Sequence, residues 1–286
     1  MWIYLNDRFV RKEDAVVSVF DHGLLYGDGV YETLRSYGGL IFMLQEHVAR
    51  LRRSAELIGL DLPLGDKDWP ALLREALRRN TLDDAYLRIT VSRGAGEIGL
   101  DPALCKEPTT IVMALPLKPY SRALYDEGVH LARVQIRRNL AAALPPKIKS
   151  LNFLNNILAK REALQAGAFD GIMLNAEGDL TECTASNLFF VQQGGLCTPS
   201  VDCGILDGIT RNVVLQLARE HGVPTQEGRY PAGALYQAEE CFVTNTTLEI
   251  MPVSAVDHQP IGSGRPGPLT MKLRNLFHSN LGKFLE

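Results

Sequence analysis

Nowhere in the 286 residues do about 18 apolar side chains run together, so no membrane-spanning helix is expected. Nor is there a Lys/Arg stripe: 30 basic residues face 33 acidic ones, for a net charge of −3. That balance removes the electrostatic footprint of a nucleic-acid or anionic-membrane partner. Cysteine is sparse. Cys105, Cys183, Cys197, Cys203 and Cys241 are odd in number, widely spread and form no C-x-x-C pair, which argues against a disulfide framework and against zinc or any other metal. The opening run Met1–Asp7 lacks the basic start and apolar core of a secretory signal, so a cytoplasmic protein is expected. G-x-S-x-G, H-E-x-x-H and Walker-type loops are absent as well. Gly262–Gly267 does match G-x-G-x-x-G, but too little chain follows for a dinucleotide unit and Pro266 spoils the helix start. Asn245-Thr246-Thr247 is a glycosylation sequon without secretory context.

What is present suits a globular chain of two domains, with 46% hydrophobic and 22% charged residues. β-rich segments near 2–10 lead to a strand at 29–37, a Gly38-Gly39 turn and a return strand from Leu40 to Met43. Leu44, Val48, Leu51, Ala55 and Ile58 recur at helical spacing, which predicts a helix over 44–58 stopped by Gly59. His47 flanks that stripe and Arg50 lies off it. A second helix is expected at 68–79, and a half-buried strand over 86–92 with Leu87, Ile89 and Val91 facing the core. Pro116–Ser121 reads as a linker, because its two prolines disfavour helix and central strand. After it strands alternate with helices near 152–166, 208–221 and 268–281, and 258–268 reads as a Gly/Pro-rich loop. The expected domains are 1–117 (small, N-terminal) and 124–286 (large), joined by a linker at 118–123.

Four stretches could carry chemistry. In Lys147–Asn152, Lys149 stands before a strongly amphipathic helix, with Ser150 or Asn152 as N-cap. A positive helix end and partial desolvation would lower its pKa from about 10.4 toward neutrality, as a nucleophilic amine requires. On these residues alone an ordinary surface lysine is the simpler reading. Gly204–Arg211 is a glycine turn entering a helix, with Asp207 able to cap and Thr210 able to donate, a pattern shared by phosphate sites and by ordinary capped helices. Glu182 precedes a strand of large apolar residues, where a carboxylate needs a cation. A protonated pyridine nitrogen or an arginine of the core would serve. Finally, Tyr31, Thr33, Arg35 and Tyr37 share one strand face, as do Tyr86, Arg88, Thr90 and Ser92. Such a face either holds a substrate carboxylate or meets solvent.

Taken in order, the blocks Tyr26–Glu32 (YGDGVYE), Glu46–Leu51 (EHVARL), Ile148–Asn152 (IKSLN) with Glu182–Phe189 (ECTASNLF), and Gly208–Arg211 (GITR) with Val243–Val253 (VTNTTLEIMPV) resemble the class IV, fold type IV pyridoxal-phosphate enzymes. These include branched-chain aminotransferase, D-amino acid aminotransferase and aminodeoxychorismate lyase. The resemblance implies an α+β fold with a small N-terminal α/β domain and a larger α/β pseudo-barrel domain. It also implies pyridoxal 5′-phosphate as cofactor, amino acid and 2-oxo acid substrates, ping-pong transamination and a homodimer. It assigns Lys149 as the lysine that carries the cofactor and moves the proton, and Glu182 as the partner of the pyridine nitrogen. Arg50 would bind the phosphate with Ile209, Thr210 and Thr246, while Thr246 and Thr247 would meet the substrate carboxylate. Tyr31, Arg35, Tyr86 and Arg88 would shape the substrate pocket.

Tyr86-x-Arg88 with Arg35 favours branched-chain or broad L-amino acid transamination, although Thr33 replaces the usual glycine and Leu154 a tyrosine often found there. D-amino acid transamination stands second, because Ile98 and Leu100 occupy the positions of its Arg/His carboxylate trap. The lyase is third.

Overall fold

The computed structural model describes residues 1–286 and divides into two compact units. The first comprises Met1–Lys118 together with Ile148–Asn152 and Lys283–Glu286; the second comprises Pro119–Lys147 and Phe153–Gly282.

In the first unit, β1 (Trp2–Leu5), β2 (Arg8–Arg11), β3 (Gly29–Tyr37), β4 (Leu40–Ile41), β5 (Ala85–Ser92) and β6 (Thr109–Pro116) form one sheet in the order β2-β1-β6-β5-β3-β4. Beside them are α1 (His22–Tyr26), α2 (Leu44–Leu57) and α3 (Asp68–Asn80). The periodic stripes decide the packing. Leu44, Val48, Leu51 and Ala55 of α2 are buried with Leu87, Ile89 and Val91 of β5 in one apolar core. Each Leu, Ile or Val among them contributes about 1.5–3 kcal/mol by leaving water. The return strand is shorter than expected. It stops at Ile41 because Met43 adopts a left-handed conformation (φ 48°) as the N-cap of α2, its N–H bonded to the Phe284 carbonyl. His47 and Arg50, both off the predicted stripe, are buried all the same.

The second unit holds α4 (Arg122–Glu127), β7 (Val129–Arg133), α5 (Leu154–Gln165), β8 (Asp170–Leu174), β9 (Leu180–Cys183), β10 (Asn187–Gln192), β11 (Gly195–Pro199), α6 (Ile209–Glu220), β12 (Thr225–Gly228), β13 (Glu240–Asn245), β14 (Glu249–Val256), β15 (Gln259–Pro260) and α7 (Pro268–Asn280). Its sheet runs β12-β11-β10-β13-β14-β7-β8-β9, with β15 on β14. Pairing of Glu182 on β9 with Asn187 on β10 closes six of these strands into a ring, the pseudo-barrel of the expected α+β fold. The expected 258–268 loop contributes β15 before α7 begins at Pro268. No helix is long and apolar enough to cross a membrane.

Two local expectations fail. The helix after Lys149 starts only at Leu154, with Phe153 as N-cap and no capping side chain. Asn152 instead donates to the Gly27 carbonyl (2.9 Å), and Ser150 bridges Val30 in strand fashion. Nor is α5 amphipathic in the expected sense: Leu154, Ile157 and Leu164 are exposed while Asn156, Ala159 and Ala163 are buried.

Candidate active site

The first unit assembles the lysine and the strand face. Because Ile148–Asn152 runs beside β3, the Tyr31 N–H donates to the Lys149 carbonyl (2.9 Å), and the Lys149 N–H donates to Ser54 Oγ on α2 (3.1 Å). Lys149 is therefore fixed by strand-like pairing and by a helix side chain, not by a helix start. Its Nζ lies 4.5 Å from the centre of the Tyr31 ring, and the Arg88 guanidinium carbon lies 4.1 Å from the same centre. Burial raises the Tyr31 phenol to about 12, with Arg88 opposing, so this hydroxyl stays neutral at any working pH.

Antiparallel register sets Tyr31 opposite Thr90, Thr33 opposite Arg88 and Arg35 opposite Tyr86. The polar residues predicted to share a face therefore do so. Arg88 Nε donates to Thr90 Oγ1 (3.1 Å), Thr33 Oγ1 lies 3.4 Å from the Tyr86 hydroxyl, and Arg35 covers Tyr37 at 4.2 Å.

On the opposite, core-facing parity of β3 stands Glu32, fully buried and unforeseen. Arg50 grips it side-on, Nε to Oε1 at 2.7 Å and Nη2 to Oε2 at 2.9 Å, and His47 Nδ1 lies 2.8 Å from Oε2. Burial alone would raise the Glu32 carboxyl. The Arg50 charge and hydrogen bonds, joined by His47, override this and hold it well below the usual carboxylate range. Burial pushes the His47 imidazole down, so it is neutral and donates from Nδ1. A signal existed in the sequence: an acid at the parity of Val30 and Leu34, with His47 and Arg50 three residues apart on one helix face.

The second unit assembles the carboxylate and a helix start. Glu182, 5% exposed, has found its cation: Arg138 Nε and Nη2 reach Oε1 at 3.0 and 2.9 Å. Oε2 accepts from Asn187 Nδ2 and from the Leu206 N–H, each at 3.1 Å. Arg138 also reaches Asn156 Oδ1 (3.2 Å), which gives a purpose to that buried amide on α5. The sequence singles out no arginine for this place, because 44 residues separate 138 from 182.

At the start of α6 the N-cap is Gly208, not Asp207, which instead accepts from Asn212 (2.9 Å). Glycine is required by close approach. A Cβ on residue 208 would lie 1.8 Å from Asn187 Oδ1. Ile209 and Thr210 are buried in the first turn, and Thr210 Oγ1 has no hydrogen-bond partner. Thr246 and Thr247 lie half-buried in the β13–β14 turn, whose shape is set by Asn245 Oδ1 accepting from the Thr247 N–H (2.9 Å) and Leu248 N–H (2.9 Å).

Gly208→Ala is expected to displace Asn187 and loosen Glu182, lowering stability by about 1–3 kcal/mol in urea titration. An unchanged midpoint would mean that the turn can relax around the added methyl.

An amine fixed beside tyrosine and arginine in the first unit, and a buried carboxylate and a helix start with an unsatisfied hydroxyl in the second, are groups of the kinds used by a group-transfer enzyme with a phosphorylated cofactor. The amino-transferase class IV model matches residues 29–256, and the chain belongs to that family of pyridoxal-phosphate-dependent aminotransferases. A Methanocaldococcus jannaschii protein assigned as a branched-chain-amino-acid aminotransferase is 45% identical over 277 residues, covering 97% of this chain and 95% of its own. Aminodeoxychorismate lyase of Bacillus subtilis is 36% identical (99% and 96% covered), and D-alanine aminotransferase of Bacillus licheniformis 35% (98% and 97%). Among solved structures, the branched-chain aminotransferase of Escherichia coli superposes with a TM-score of 0.95 at 31% identity, covering 100% of this chain and 96% of that one. The T.th. branched-chain enzyme, crystallised with pyridoxamine 5′-phosphate, gives 0.96 at 33%, covering 100% and 97%.

The residues present fit such a group. The orphaned Thr210 hydroxyl and the uncapped first turn of α6 suit a phosphate, and the Glu182 carboxylate suits a pyridinium nitrogen.

Proposed function

We propose that the chain transfers amino groups between L-amino acids, branched-chain or broader, and 2-oxo acids in ping-pong half-reactions. The observation that carries this reading is the Lys149 amine poised over Tyr31, on the strand face that also bears Arg88. Pyridoxal phosphate, when bound, supplies an aldehyde for the amine and a ring that withdraws electrons from the substrate Cα. Lys149 Nζ would hold that aldehyde and would also carry the proton that leaves and rejoins the substrate. Glu182 pairs with the ring nitrogen, and its fork with Arg138 keeps the carboxylate oriented. Arg50, Ile209, Thr210 and Thr246 receive the phosphate. Thr246 and Thr247 present the turn that meets the substrate carboxylate, while Tyr31, Arg35, Tyr86 and Arg88 shape the substrate pocket.

Similarity to the three branched-chain relatives and the Tyr86, Arg88 and Arg35 face supports L-substrates over D-substrates. Ile98 and Leu100, 73% and 86% exposed, offer no group that could clamp a carboxylate. With Val19, Phe20 and Leu24 they make up a set of exposed apolar side chains in the first unit, which supports burial against a second copy and hence a homodimer. Five unpaired thiols accord with a cytoplasmic protein.

A half-reaction screen tests the assignment. L-branched-chain amino acids are expected to bleach the visible absorption of the holoenzyme. Bleaching by D-amino acids alone would transfer the assignment to D-amino acid transamination, and pyruvate release from aminodeoxychorismate without an amino acceptor would transfer it to the lyase. Arg88→Ala is expected to raise KM roughly tenfold or more while cofactor retention is unchanged, since a charged contact contributes about 1.5–3 kcal/mol. Loss of cofactor from that variant would place Arg88 at a different task.

A further inference from the structure

We propose that Glu32 and His47 are positioning residues for the cofactor phosphate, acting through Arg50; this rests on the reading of Arg50 as the phosphate-binding arginine. All three side chains are buried, and a buried arginine is useful to an anion only if its plane is fixed beforehand. Glu32 provides that fixation. Its two oxygens take Nε and Nη2 of the guanidinium, which sets both plane and rotation and turns the Nη1 edge away from the carboxylate. His47 in turn fixes Glu32, donating from Nδ1 to Oε2, the oxygen that Nη2 also uses. The carboxylate thus cannot rotate without breaking its contacts to two residues of α2, Arg50 and His47.

The arrangement is costly for a purely structural device. Replacing a buried ion pair with apolar residues is commonly neutral or stabilising, and β3 already offers Val30 and Leu34 on the same parity. His47 Nε2 is moreover buried without a hydrogen-bond partner, an expense that an apolar residue would avoid. A pre-aimed guanidinium gives the triad a reason to exist. The binding contribution it makes is specific to phosphate and absent for the same ring without one.

The test compares binding of pyridoxal 5′-phosphate and of pyridoxal to the full-length apoprotein by equilibrium dialysis. Arg50→Ala is expected to weaken the phosphorylated form roughly tenfold or more and pyridoxal less than about threefold. Glu32→Gln is expected to reproduce that selective loss, and to add little when combined with Arg50→Ala. His47→Leu is expected to show a smaller selective loss that His47→Gln, whose amide still donates, recovers. This pair decides the matter if circular dichroism shows Glu32→Gln unfolded. Equal weakening of both ligands by Glu32→Gln, or no recovery in His47→Gln, overturns the positioning role. An Arg50→Ala protein whose preference for the phosphate is undiminished overturns the reading beneath it.

Discussion

Lys149→Ala is expected to fold, to take up no pyridoxal phosphate covalently on hydride reduction, and to lose transamination by roughly four orders of magnitude or more. The size follows from two losses at once, the covalent hold on the aldehyde and the amine that moves the proton. Folding is spared because Lys149 is tied to β3 and to Ser54 by backbone groups, which alanine retains. Hydride reduction of the wild-type holoenzyme, followed by peptide mapping, should tag the Pro145–Asn152 region at Lys149. A tag on Lys147 or elsewhere, or a Lys149→Ala protein that is still tagged in this region, would sink the assignment.

The second large effect concerns Glu182. Truncation to alanine leaves the Arg138 guanidinium buried at 9% side-chain exposure without its principal partner, and it strips the acceptor from Asn187 and the Leu206 N–H. Breaking a buried ion pair from one side costs about 3–5 kcal/mol, so Glu182→Ala is expected to melt well below wild type by calorimetry. Glu182→Gln separates stability from chemistry. Its amide keeps one acceptor for Arg138 yet cannot hold a proton on a pyridine nitrogen, so kcat should fall about a hundredfold or more with cofactor still bound. Full activity in Glu182→Gln would show that Glu182 serves Arg138 alone.

Much of the fold was readable because it is local. The apolar spacing over 44–58 and the alternation over 86–92 each record which way successive side chains point, and α2 and β5 lie where those periods put them. The same logic put Tyr31, Thr33 and Arg35 on one face and Tyr86 and Arg88 on the adjacent strand, and the register made one polar surface of them. The rule failed at α5. An apolar count cannot tell an inward stripe from an outward one, and Leu154, Ile157 and Leu164 face out. Capping residues misled for a related reason. Asp207, Ser150 and Asn152 all have capping chemistry, but Asp207 accepts from Asn212, Asn152 donates to the distant Gly27 carbonyl, and Ser150 lies in a strand-like bridge to Val30.

Taken by itself, the sequence determined the chemical inventory: one lysine in a distinctive run, a carboxylate before an apolar strand, a glycine turn entering a helix, and the order of blocks that marks the family. Only the tertiary structure decided which charges answer one another. Glu32 neutralises Arg50 and Arg138 neutralises Glu182, because electrostatic and hydrogen-bond energies depend on distance through space, to which separation along the chain is a poor guide. It likewise put Ile148–Asn152 with the N-terminal unit, since the open hydrogen-bonding groups of β3 found their partners in that short strand-like segment.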